Sequence, residues 1–131
     1  MEEFNNNLEK AKKILIEKTK CSVIILFGSF YRGDQTAESD VDIAIRPRKE
    51  LESKDIFELT GILEGIFGRE VDLIDLNNIQ DGFRYEILIN GKVIYCEDEY
   101  AFEQYRLDMF REYLELNESR QEIINKMKNG E

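Results

Sequence analysis

The sequence contains no histidine. This removes Ser-His-Asp and Cys-His catalytic arrangements and every His-ligated zinc or iron site, so any chemistry has to rest on carboxylates. Cysteine is nearly as scarce: Cys21 and Cys96 lie far apart, form no Cys-x-x-Cys spacing, and read as two reduced thiols. No apolar run approaches the roughly 20 residues that span a bilayer, and the N-terminus begins with acidic and amide residues in place of a basic, apolar leader. The expectation is a cytoplasmic protein without a membrane partner. Basic residues are outnumbered, with 18 Lys and Arg against 28 Asp and Glu. The net charge of −10 argues against direct nucleic-acid binding, which needs clustered Lys and Arg to displace counterions from phosphates. A basic protein surface, or a substrate arriving with cations, suits such a chain better.

A length of 131 residues with 42% hydrophobic positions fits one core, so a single domain over 1–131 is expected. Phe4, Leu8, Ala11, Ile14 and Leu15 recur at helical spacing and predict a helix over about 2–20. The run from Ser22 to Phe27 is continuous, apolar and rich in β-branched residues, as in a strand covered on both faces, and it stops at Gly28-Ser29. Asp40 to Ile45 alternates and predicts a second strand, closed by Pro47. A helix over 53–67, with Ser53 as its N-cap, ends at Gly68, and Glu70 to Leu76 reads as a third strand. A short helix over 79–89, a strand over 92–96 and a closing helix over about 98–128 complete the chain, with Asn117 a candidate break. The predicted class is α/β (α+β): a mixed sheet of about four strands with flanking helices and a long C-terminal helix.

The informative stretch runs from Gly28 to Asp42: a Gly-Ser pair at a strand end, ten residues, then Asp40-Val41-Asp42. Glycine lets a backbone approach a phosphate, and the N–H and hydroxyl of Ser29 can donate to its oxygens. Side chains alternate along a strand, so Asp40 and Asp42 share one face while Val41 and Ile43 enter the core. Two carboxylates at one spot call for a cation, and oxygen-only ligands favour Mg²⁺ or Mn²⁺ bridging substrate phosphates. A third carboxylate on the neighbouring strand would complete a two-metal arrangement. Asp72 and Asp75 are three apart, project to opposite faces, and pattern does not choose between them.

The stretch Gly-Ser-Phe-Tyr-Arg-Gly-Asp, followed by Ser-Asp-Val-Asp-Ile-Ala-Ile, resembles the signature of the minimal nucleotidyltransferases of the DNA polymerase β superfamily. Val71-Asp72-Leu73, Phe83 to Leu88, Asn90 to Tyr95 and the tyrosine-rich closing helix extend the resemblance to the MNT-type antitoxins paired with HEPN-domain toxins. The resemblance implies a polymerase-β-like fold, with Asp72 as the third metal ligand beside Asp40 and Asp42, and Gly28 and Ser29 on the nucleotide. It also implies two Mg²⁺ ions, ATP as substrate, and transfer of AMP to a tyrosine of a partner HEPN ribonuclease toxin. Self-association is left open.

Other readings are weaker. A calcium loop beginning at Glu38 fails, because Ile43 stands where glycine is needed and Lys49 where glutamate is needed. Arg32 and Arg84 could hold triphosphate oxygens, although surface ion pairing is the commoner fate of an arginine. Tyr105 and Tyr113, at helical spacing, read as core in preference to a partner surface. Two alternatives to toxin adenylylation are neutralisation by tight complex formation alone, and nucleotide transfer to a small hydroxylated molecule such as an aminoglycoside.

Overall fold

The computed structural model describes residues 2–28 and 40–128, with side chains as far as Glu115. In chain order the elements are α1 (Glu2–Thr19), β1 (Val23–Phe27), β2 (Val41–Arg46), α2 (Ser53–Phe67), β3 (Val71–Asp75), a 3₁₀ turn (Leu76–Asn78), α3 (Asp81–Asn90), β4 (Lys92–Cys96) and α4 (Glu99–Lys128). The four strands form one mixed sheet in the order β3-β2-β1-β4. β1 pairs antiparallel with both β2 and β4, while β2 and β3 run parallel, the crossover between them being α2.

The period-two pattern divides the sheet into two covered faces. Ile24 and Leu26 of β1, Val41, Ile43 and Ile45 of β2, and Val71 and Leu73 of β3 pack with Ala11 and Leu15 of α1 and Leu59, Leu63 and Phe67 of α2. The opposite face carries Val23, Ile25 and Ala44, covered by Leu76, by Ile87 and Leu88 of α3 and by Phe102 of α4, with Phe27, Ile74, Tyr105 and Met109 against them. Val23, Ile24 and Ile25 are all buried, as expected of a central strand with helices on both sides. This is the α/β arrangement expected from the sequence.

Element ends follow local chemistry. Gly68 stops α2 in the left-handed region (φ 67°), donating its N–H to Glu64 O at 2.8 Å. α2 has the expected bounds but a different cap: Glu52, not Ser53, is the N-cap, because the Asp55 carboxylate reaches back to accept the Glu52 N–H at 2.9 Å. The closing helix runs through Asn117 without a break. Tyr105 and Met109 belong to the core edge, and the Arg46 guanidinium lies 4.0 Å from the Tyr105 ring centre. Tyr113 stacks on Tyr85 of α3 at 3.9 Å between ring centres. The two cysteines are free, Cys21 being buried. Among the described residues, no helix is long and apolar enough to cross a membrane.

Candidate active site

The site forms at one end of the sheet, where β1 ends and the parallel strands β2 and β3 begin. Asp42 is the second residue of β2 and Asp72 the second of β3, and the two are Cα partners in the parallel register. Partners in neighbouring strands, about 4.8 Å apart, point to the same side. Asp42 and Asp72 therefore stand next to one another on the α3/α4 face, with Val41, Ile43, Val71 and Leu73 turned into the opposite core. Asp72 is exposed and Asp42 half-buried. Asp40 immediately precedes β2 and is exposed. The strand entrance is anchored beneath it by the Val41 N–H, which donates to Glu70 O at 2.9 Å.

Gly28 closes the other side. It follows Phe27, the antiparallel partner of Asp42, and adopts φ 75°, a conformation that side chains with a Cβ rarely hold. A Cβ at Gly28 would run into Oδ2 of Asp42 and lie 3.0 Å from its Cγ. The glycine thus gives the Asp42 carboxylate its space. Ser29, Arg32 and the rest of 29–39 lie outside the described residues.

Burial and hydrogen bonding distinguish Asp75 from Asp72. Asp75 is 8% exposed on the far face, and its carboxylate accepts the Asn77 N–H at 2.9 Å and Asn78 Nδ2 at 3.3 Å, capping the 3₁₀ turn. It is committed to holding the chain, whereas Asp72 faces Asp42. Among the described residues, which include Asp40, Asp42 and Asp72, no three Cys, Asp or Glu side chains are grouped so as to hold a metal ion; the register brings together Asp42 and Asp72, and Asp40 is not drawn into one cluster with them. Two neighbouring carboxylates are nevertheless the protein share of an ordinary Mg²⁺ site, whose other oxygens come from substrate phosphates and water. By donor chemistry, the residues fit the ion.

Arg84 is not available as a phosphate clamp. Its Nε donates to Leu76 O at 2.8 Å, Nη2 to Ile79 O at 3.2 Å, and Nη1 contacts Asp81 and Met109 Sδ, each at 3.2 Å. It ties the 3₁₀ turn after β3 to α3 and α4. Phe83, in the first turn of α3, meets Phe27 of β1 edge-on at 6.0 Å, a neighbour that its local sequence does not reveal.

A sheet that brings a Gly-terminated strand and two acidic strand starts to one end has the donor set for a cation bridging to a phosphate. Residues 9–100 match the model of the family described as polymerase beta, nucleotidyltransferase, and the chain belongs to that family. It is 30% identical to the protein adenylyltransferase MntA of Shewanella oneidensis, over 95% of this chain and 88% of that one. Among solved structures, it superposes on a toxin–antitoxin crystallised with AMP-PNP at a TM-score of 0.78, with 27% identity over 92% of this chain and 98% of the other. It also superposes, at a TM-score of 0.77 and 26% identity over 95% and 98%, on a complex of an MNT antitoxin with the tri-AMPylated Shewanella oneidensis HEPN toxin.

Proposed function

We propose that this protein is a cytoplasmic antitoxin that transfers AMP from ATP to a tyrosine hydroxyl of a partner HEPN-domain toxin, and that residues 1–131 act as one nucleotidyltransferase domain. The observation that carries the reading is the register pairing of Asp42 with Asp72 beside Gly28, in a chain that belongs to the nucleotidyltransferase family. It is supported by the adenylyltransferase and HEPN-complex relatives and by an acidic balance suited to a basic partner face.

Asp40, Asp42 and Asp72 would hold two Mg²⁺ ions, which when bound supply positive charge to the triphosphate and acidify the attacking hydroxyl. Gly28 keeps the Asp42 carboxylate in place, and the Ser29 N–H and hydroxyl donate to the phosphate oxygens. Asp72, exposed at the strand start, accepts the tyrosine proton as that oxygen attacks the α-phosphorus in line and pyrophosphate leaves. With no histidine in the chain, a carboxylate is the base available on this face.

The test is the intact mass of a co-expressed HEPN partner after incubation with ATP and Mg²⁺. Additions of one or more AMP units to the partner are expected. An unmodified partner that is silenced all the same would favour neutralisation by binding alone.

A further inference from the structure

Two of the described elements at the carboxylate end of the sheet lie beside the aspartates. One is the edge of β3, polar at Asp72 and Glu70, and the other is the first turn of α3. The second presents Phe83, which is 41% exposed. Its ring packs against Phe27 at an interplanar angle of 77°, and Phe27 is the antiparallel partner of Asp42. Directly opposed residues in an antiparallel pair project to one face with Cβ atoms about 5 Å apart. Phe83 is therefore one side chain removed from the Asp42 carboxylate, on the same face. Phe57, Tyr100, Leu107 and Leu114 are also exposed, but they lie on α2 and α4, and none has a ring contact with a register partner of a site aspartate among the described residues.

Phe83 is also held firmly. The next residue, Arg84, fastens the start of α3 to the Leu76 and Ile79 carbonyls, and the Phe27 edge contact supports the ring. A fixed, half-exposed aromatic surface beside a phosphate-handling centre suits a planar group joined to that phosphate through one sugar.

We propose that Phe83 is the nucleobase platform of this site, the base of the bound nucleotide stacking on its exposed face. The inference rests on the nucleotidyl-transfer reading above. Every base offers a π-face, so the platform favours nucleoside triphosphates over bare polyphosphate without strongly selecting one base.

The chain has no tryptophan, so Phe83→Trp places a single indole reporter at the platform. In the full chain with Mg²⁺, ATP is expected to quench that emission and tripolyphosphate to leave it unchanged. In calorimetric titrations, Phe83→Leu should weaken ATP binding about tenfold, the loss of one base-on-ring stack, and leave tripolyphosphate binding alone. Phe83→Tyr should restore ATP affinity. Melting curves of all three variants check that the fold is retained. Equal quenching by ATP and tripolyphosphate, or wild-type ATP affinity in Phe83→Leu, overturns the platform while nucleotide binding stands. Weaker capture of the protein partner with unchanged ATP affinity would assign the ring to the acceptor and likewise overturn it. A wild-type chain that binds no nucleotide overturns both readings.

Discussion

Replacing Gly28 by alanine tests the steric arrangement at the centre of the site. The substitution acts in two ways that can be separated. Alanine at φ 75° costs about 1–2 kcal/mol wherever it occurs in this conformation. The new Cβ also meets the Asp42 carboxylate, and overpacking of this kind costs about 1–3 kcal/mol. The lower half of that range applies, because a half-buried carboxylate can rotate away. Gly28→Ala should therefore destabilise the chain by about 2–4 kcal/mol in urea titrations. In an Asp42→Ala background the carboxylate is gone and the closest remaining Asp42 atom, its Cβ, lies 3.3 Å from the added methyl. There most of the clash is gone and chiefly the backbone cost should remain, so the double-mutant cycle should show a coupling of about 1–2 kcal/mol. Displacing the carboxylate by about an ångström should also lower nucleotide transfer about 100-fold in Gly28→Ala molecules that are folded. A coupling within about 0.5 kcal/mol of zero, or undiminished transfer, would refute the reasoning.

Asp72→Asn should abolish transfer without loss of thermal stability, since it removes one of two adjacent like charges, whereas Asp75→Ala should cost about 1–2 kcal/mol by uncapping the 3₁₀ turn and leave transfer by folded molecules intact. Arg84→Met should cost about 2–3 kcal/mol, because it strips the Leu76 and Ile79 carbonyls of a charged donor, with little change in ATP affinity, measured by urea unfolding and calorimetry; a large affinity loss in folded protein would reinstate a triphosphate role. Burial raises the Tyr105 phenol, with Arg84 and Arg46 opposing the shift and Asp75 adding to it; burial likewise raises the Cys21 thiol. A group raised in the folded state contributes fully below its ordinary value, and the contribution is lost as pH climbs through the folded one. Stability should accordingly fall on the alkaline side, and Tyr105→Phe should make that limb shallower; an unchanged limb would contradict the assignment.

Much of this architecture is legible from alternation and turn residues. Val41, Ile43 and Ile45 identify the buried face of β2, the glycine at 68 marks the end of α2, and the acidic pair at 40 and 42 marks the proposed site. Long-range geometry is not legible in this way. The space that Gly28 leaves for Asp42 depends on the antiparallel register of β1 with β2, which no local pattern encodes. Asp72 and Asp75 sit in the same apolar run, and they separate only once Asn77 and Asn78 are seen to bind one of them. Arg84 resembles any surface arginine until the carbonyls after β3 and Met109 are brought around it by folding. At Glu52 the difference is local. A serine at 53 is the better N-cap by preference, but the Asp55 carboxylate three residues beyond Glu52 makes Glu52 the cap and leaves the helix at 53–67.

The central claim is that the carboxylate pair directs attack at the α-phosphorus and leaves a nucleotide on a protein hydroxyl. It is tested most directly by incubating the protein and the proposed HEPN-domain partner with Mg²⁺ and ATP labelled at either the α- or the γ-phosphorus. Label should pass to a tyrosine of the partner from the α position alone, and not at all with Asp42→Asn. Transfer from the γ position, or undiminished labelling by Asp42→Asn, would contradict it.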